Sequence, residues 1–334
     1  MSNDRTDLTR AIPTPLAALA LGIASLGWCW DKALQLQGAL QTAAALFALV
    51  CLSLLLFKFI RQPALLRQDL ANPILGAVLP ASAMALMVIA TALPSSLGRW
   101  LWSIAVVLHL WLLVAFIWHR VGALQFNQLL PGWFVPPIGI VTAVVTCPAA
   151  VSENVIQGIF WFGLLCYAVL LPLVIIRLLF AGSVPLAARP SLAVLAAPAS
   201  LCLTGYLNLT SPAQPMIVLS LLILALVMTS IIYVAMLYLL RLPFSPGFAA
   251  FTFPLVIGAT ALFKASEQFA LWQQPESAAL LQQLAYLELV IATLVTLYVC
   301  FRFAGYLWQQ SAALRPDTLA KQTHRLVESA SSKN

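Results

Sequence analysis

Residue types able to do chemistry are few and scattered in this chain. Its three histidines are His109, His119 and His324. His109 interrupts an apolar run, His119 precedes Arg120 at the end of that run, and His324 lies in a polar tail. His109 is therefore read as a helix-interface hydrogen bond rather than a metal ligand. The cysteines Cys29, Cys51, Cys147, Cys166, Cys202 and Cys300 all sit in apolar runs, with no C-x-x-C pair. They read as small buried hydrophobes, neither a disulfide frame nor a metal site. No Walker A loop, G-x-S-x-G elbow or H-E-x-x-H helix occurs. Catalysis, a cofactor and a bound metal are not expected. Two kinds of feature remain. The first is isolated charge near apolar runs, at Lys264, Glu267 and Glu288; such charge marks ion or proton pathways. The second is a spread of hydroxyls, among them Ser25, Thr142, Thr204 and Thr260. Hydroxyls and freed backbone carbonyls can replace part of an ion's hydration shell.

The elements that hold these groups are set by composition. The chain has 334 residues, of which 62% are hydrophobic and 8% charged, with mean hydropathy +0.98. Soluble domains carry about 25% charged residues. A chain this apolar cannot cover a water-facing surface, so a soluble enzyme is excluded. A pI near 9.3 does not make it a nucleic-acid binder, because its 17 Lys and Arg form no basic patch interleaved with aromatics.

A bilayer core of about 30 Å takes about 20 apolar residues per helix. Ten apolar runs meet or approach this, at roughly 14–30, 38–60, 73–93, 98–118, 132–151, 155–180, 190–209, 214–240, 247–268 and 280–307. With the N-terminus in the cytoplasm, 14 of the 17 basic residues fall in cytoplasmic segments. Only Lys32, Arg99 and Lys264 fall outside. The positive-inside rule thus predicts ten spans with both ends cytoplasmic, and it accounts for the basic pI. The first ten residues carry no signal-peptide cleavage pattern, so the first span is expected to remain as an anchor. The predicted organisation is a cytoplasmic segment over 1–12, a ten-helix membrane domain over 13–308, and a polar, disordered cytoplasmic tail over 309–334.

Proline gives an independent period. Odd runs open near Pro15, Pro73, Pro131, Pro190 and Pro246, spaced 58, 58, 59 and 56 residues apart. This predicts five tandem hairpins. Later odd runs hold a second proline at Pro80, Pro136 and Pro137, Pro198, and Pro254, and Gly22 stands at the matching offset in the first run. Proline kinks a helix and frees carbonyls, which in a membrane must be buried in protein or line a water-filled cavity. The pattern predicts an inner ring of kinked odd helices around a path, with Gly22 and these prolines lining it, and an outer ring of straight even helices against lipid.

Several segments carry a family resemblance: PTPLAALALGIASLGWCW at 13–30, NPILGAVLPASAMALMV at 72–88, LLPGWFVPPIGIVTA at 129–143, RPSLAVLAAPASLCLTGYL at 189–207 and FAAFTFPLVIGATAL at 248–262. Together, over about residues 10–308, the chain resembles the tellurite-resistance/dicarboxylate transporter family, which includes the plant slow anion channels of guard cells. The Phe-Thr-Phe-Pro segment is the sharpest match. The resemblance implies five helical hairpins around a pseudo-fivefold axis, a homotrimer with one pore per subunit, and a phenylalanine plugging the pore in the ninth helix. The matching residue is Phe253, directly before Pro254. Phe248 and Phe251 are rivals on the chain reading alone.

The functional expectation is a passive channel for small inorganic anions in the inner membrane of a bacterium. The alternative is a secondary transporter or exporter of dicarboxylate, sulfite or tellurite-type oxyanions. Odd runs hold no acidic residue before Glu267, and the lack of a proton relay favours the channel. Lys264, 18 residues beyond Pro246, lies about 27 Å along the helix, near the outer surface. It is read either as the partner of Glu288 in an outer-mouth charge pair or as a cation drawing anions to the mouth. Tellurite resistance rests on the family name alone.

Overall fold

The computed structural model describes residues 8–121, 125–149, 151–209 and 213–313. Residues 1–7 and 314–334, most of the expected N-terminal segment and tail, lie outside the described residues. In chain order the α-helices are α1 (Leu16–Leu34), α2 (Ala39–Arg61), α3 (Pro63–Ala71), α4 (Leu75–Val78), α5 (Pro80–Ala90), α6 (Ser95–Arg120), α7 (Val135–Ile138), α8 (Thr142–Val145), α9 (Glu153–Phe180), α10 (Ala197–Leu209), α11 (Pro215–Leu239), α12 (Thr252–Leu271) and α13 (Pro275–Ala313). No strand occurs among the described residues.

Seven helical stretches among the described residues are long and apolar enough to cross a bilayer by themselves. Five are the expected even runs: α2, α6, α9, α11 and α13. The others are Leu186–Leu209 and Pro246–Leu271. The remaining odd runs fall short for visible reasons. Helix α1 carries Asp31 and Lys32 in its last turn. The run near 73–93 is interrupted between α4 and α5, and the α3 segment before it is bent 101° away. The run expected over 132–151 is instead a chain of short pieces over Pro131–Val145, alternating 3-10 and α turns.

The same proline positions correct the kink expectation. Pro80 opens α5, Pro136 and Pro137 lie in the first turn of α7, Pro198 is second in α10 and Pro254 third in α12. The stretches Pro131–Phe134, Leu186–Ala196 and Pro246–Phe251 immediately before three of these helices are 3-10. First-turn N–H groups have no intrahelical partner, so proline costs little there and presets φ for the helix. Pro136, Pro198 and Pro254 mark where a tighter helix becomes α, whereas Pro80 follows the α-helical turn α4 across a break at Leu79. Gly22, by contrast, sits inside the unbroken α1.

The odd segments touch one another in a closed circuit. Helix α1 contacts α5 and α12, α12 contacts α10, α10 contacts α8, and α8 contacts α5. Each long helix lies outside this circuit on its own predecessor: α2 on α1, α6 on α5, α9 on α7 and α8, α11 on α10, and α13 on α12. Burial follows. In Leu186–Leu209 and Pro246–Leu271, 72% of the apolar window is buried, against 22–39% in the five long outer helices. Outer side chains such as Phe47, Trp100, Trp118, Phe180, Val234 and Phe301 stay exposed, which suits a lipid surround. Small residues allow the inner contacts. A Cβ on Gly22 would lie 2.1 Å from Thr252 Oγ1, so α1 and α12 meet backbone to side chain at that point.

The five outer helices share a second feature at their basic ends. Each is tied to the segment that leads into its own inner partner. Lys58 of α2 donates to Thr14 Oγ1 at 2.9 Å. Arg120 of α6 donates to the Ala71 carbonyl, and Arg177 of α9 to the Asn127 carbonyl at 2.8 Å. At the end of α11 the roles are reversed, with Arg189 donating to Tyr238. In α13, Arg302 stacks 5.0 Å from the Phe244 ring centroid. Cations at a helix C-terminus also favour the helix dipole. These basic residues therefore fasten each outer helix to the entrance of its inner partner.

Candidate pore

Three cavities lie in series inside the circuit. At the end opposite the Lys58, Arg120 and Arg177 ties is a vestibule of about 520 Å³, lined in part by Trp28, Lys32, Thr204, Asn208, Thr260, Lys264 and Tyr286. Below it is a void of about 10 Å³, bounded by Ser25, Trp28, Val88, Thr142, Val145, Leu201, Phe253, Ile257 and Thr260. Toward the basic end is a cavity of about 70 Å³, to which all five inner segments contribute, from Ala18 and Ala81 to Val135, Val194 and Ala250. Trp28, Val145 and Thr260 belong to both vestibule and void. Leu201 and Phe253 belong to both void and inner cavity. The Phe253 ring, 8% exposed, thus stands between the two lower spaces.

The spaces differ in chemistry. The inner cavity is walled by aliphatic side chains, Phe134, Phe253 and glycine; its one hydroxyl, Ser191, bonds to the Ala188 carbonyl at 2.7 Å. Such a lining offers water almost no hydrogen-bonding partner. The void is hardly large enough for one water, which needs roughly 10–15 Å³. Its hydroxyls are of two kinds. Thr260 bonds back to the Val256 carbonyl at 2.9 Å, whereas Ser25 Oγ and Thr142 Oγ1 are buried without a partner. Most other hydroxyls of the inner helices also bond to their own backbone, as Thr146, Thr204 and Ser200 do. Buried polar groups are normally satisfied, so the two unpartnered hydroxyls that share this void with Phe253 stand apart from the rest. Nothing in the sequence separated them from the bonded ones.

The predicted line of pore-lining prolines is only partly seen. Pro198 and Pro254 line the inner cavity. Gly22 packs against Thr252, and Pro80 is buried at the start of α5. The Pro136 carbonyl accepts from His109 Nε2 at 2.8 Å, the interface bond expected of that histidine. Pro137 faces away from the axis, into a groove beside α6. Consecutive helical residues point about 100° apart, so Pro136 and Pro137 cannot face the axis together.

The rival phenylalanines point elsewhere. Phe251 and Phe248 are fully buried and meet edge to face at 5.2 Å, with Phe244 stacked on Phe248. The charge pair is also different from the expectation. Lys264 Nζ lies 2.9 Å from Glu267 Oε2, one turn along the same helix. Glu288 is 6% exposed and lies against Gly258, where a Cβ would come 2.1 Å from its Oε1. Gly258 is six residues from Lys264, about 9 Å at helical rise. Glu288 is thus inside the protein, away from the vestibule, and its Oε1 has no partner.

Long apolar outer helices around a buried inner circuit define a multi-pass membrane protein. Residues 14–304 match the voltage-dependent anion channel family, and the chain belongs to that family. This agrees with the resemblance drawn from its sequence, and membership implies anion movement across a membrane by a channel or transporter rather than catalysis. No curated protein matches the chain significantly.

Proposed function

We propose that the protein is a passive channel for small inorganic anions, with its path through the three axial cavities and its gate at Phe253. One observation carries the reading: Phe253 and Leu201 are the side chains common to the void and the inner cavity. An aromatic ring in a narrow uncharged passage excludes water, and ions cross a dry constriction poorly. Swinging the ring aside would join the spaces. The free hydroxyls of Ser25 and Thr142 would then donate to an anion as it sheds water. The void and inner cavity are lined without fixed charge, so nothing there would hold the ion too tightly. Recordings from purified protein in planar bilayers test this: unitary anion currents are expected, and slow saturable flux without them would reject it.

The architecture belongs to the same proposal. Ten spans form five hairpins around a pseudo-fivefold axis, three subunits assemble as a homotrimer with one pore each, and both termini face the cytoplasm of a bacterium across its inner membrane. The closed circuit of inner segments and the five repeated ties at the basic ends support the hairpin repeat. The 14 to 3 division of basic residues supports the orientation. Cysteines introduced singly at Ser152 and Ser329 should label from opposite sides, Ser152 from outside; labelling from one side would refute the topology.

Lys264 and Lys32 are the vestibule's cations, and in this reading they concentrate anions at the outer mouth. Lys264→Gln should lower conductance most at low salt, since the Debye length grows from about 10 Å at 0.1 M to 30 Å at 0.01 M. Stability should change by less than about 1 kcal/mol, because an exposed pair with Glu267 contributes little. Equal loss of conductance at all salt concentrations would contradict this role.

A second reading has its own observation. Glu288 is a buried carboxyl packed on the pore-side helix α12, and such groups act in proton relays of transporters. In a proton-coupled exporter of oxyanions or dicarboxylates, Glu288→Gln would abolish coupling to a pH gradient. In the channel it would leave reversal potentials unchanged.

A further inference from the structure

Outside the axial circuit, between α6, the 131–137 segment and α9, lies a groove of about 380 Å³. Its floor is Leu113, Phe116 and Trp133, all buried. Phe116 and Trp133 meet edge to face at 5.1 Å. Ile117 and Val121 form an open rim, 49% and 74% exposed, on the side where the outer helices meet lipid. From Leu113 to Arg120 the groove follows α6 for two turns, about 10 Å.

Its basic end is unusual for so apolar a surface. Arg120 is 9% exposed. It spends one Nη2 bond on the Ala71 carbonyl, while its Nε is buried without a partner. No carboxylate pairs with it among the described residues. Trp133 Nε1, in the same groove, is also buried without an acceptor. Arginine offers five N–H donors and tryptophan one, and neither has an acceptor of its own. An uncompensated cation at one end, and two buried donors without acceptors, therefore border an apolar trough whose rim is exposed.

We propose that this groove binds an anionic phospholipid from the leaflet at the basic end. Its phosphate reaches the Arg120 guanidinium at the groove end, the Arg120 and Trp133 side chains shift to expose their now-buried donors to it, and an acyl chain lies along Phe116 and Leu113. Guanidinium matches phosphate oxygens in a fork, and basic groups at a membrane surface attract anionic lipids. The indole fits the polar boundary of the bilayer with its ring in the apolar part. Neither the channel nor the transporter reading is needed for this site.

The test uses the full chain in nanodiscs of phosphatidylglycerol or phosphatidylcholine, with retained lipid counted by native mass spectrometry. Phosphatidylglycerol should be retained about tenfold in preference, one step of 1.4 kcal/mol. Arg120→Gln should remove that preference. Trp133→Phe keeps an aromatic ring, without the N–H, and leaves the Arg120 tie to Ala71 in place; it should lower the preference about threefold, half that step. Should Arg120→Gln fail to fold, Trp133→Phe decides alone. Excess glycerol 3-phosphate, a headgroup without chains, should leave the lipid bound. Equal retention of both lipids, an unchanged preference in Trp133→Phe, or displacement by glycerol 3-phosphate would overturn the proposal. So would a change of oligomer mass in Trp133→Phe with no lipid difference, which would mean that a second copy of the chain covers the groove.

Discussion

Phe253→Ala is expected to raise anion conductance by at least about tenfold and to leave the protein folded. Removing the ring would merge the void with the inner cavity, since it forms the wall between them together with Leu201. Each 1.4 kcal/mol removed from a barrier is tenfold in rate, and a dry aromatic constriction presents a barrier of at least that size. The stability loss should stay below the 3–5 kcal/mol typical of a packed Phe→Ala change, because this ring already borders space on two sides. Phe251→Ala is the control. Its ring is fully buried against Phe248, so it should cost about 3–5 kcal/mol and open nothing. Stability is read by thermal unfolding in detergent, and conductance by anion efflux from liposomes. A folded Phe253→Ala protein that stays closed would remove the gate. Within the open background, Thr142→Val should reduce flux, because it deletes one of the two free hydroxyls of the path.

The second large effect concerns a buried charge pair that plays no part in the path. Lys58 Nζ lies 3.3 Å from Asp69 Oδ2, with side chains 7% and 11% exposed. Thr14 donates to the same carboxylate oxygen. One cluster thereby joins the start of α1, the end of α2 and helix α3. Lys58→Met should cost about 3–5 kcal/mol, because it leaves the Asp69 charge buried and unpaired. Lys58→Met with Asp69→Leu should recover most of that loss, since apolar replacement of a whole buried pair is often neutral. Thermal unfolding of the three proteins reads the cycle. A single mutant as stable as the parent, or a double mutant no better than the single, would show that the cluster does not hold these elements.

How far the sequence foretells this structure depends on which force governs each element. The outer helices are legible because hydropathy alone sets them: the run predicted over 155–180 is α9, Glu153–Phe180. The inner segments are legible in number and phase, since proline repeats every 56 to 59 residues, but not in form. The proline pattern predicts kinks, whereas at Pro198 and Pro254 proline occupies the first turn of a helix entered from 3-10 geometry. Sequence spacing cannot tell a kink from a junction, because both need only a missing N–H.

Charge partners were the least legible. Apparent depth in the sequence pairs Lys264 with Glu288, yet Glu267, three residues along the same helix, is its partner and meets the simpler i, i+3 geometry. Glu288 turns instead toward Gly258, where the missing side chain leaves room for a carboxylate. The partner-free state of Ser25 and Thr142 was not legible either, because bonded and unbonded hydroxyls look alike in a sequence. Phe253, the proposed gate, is singled out in the sequence by the resemblance and its position before Pro254. Its neighbour Leu201, on the opposite wall, had no signal beyond being one apolar residue among many.

The central claim is passive movement of anions through this protein, and a reversal potential tests it most directly. Purified protein carrying Phe253→Ala is placed in a planar bilayer under a chloride gradient, with and without an opposing pH gradient. The account expects the current to reverse at the chloride equilibrium potential in both conditions. A reversal potential that moves with the pH gradient, or a protein that carries no current while exchanging anions for protons, would contradict it and make Glu288 the centre of a coupled transporter.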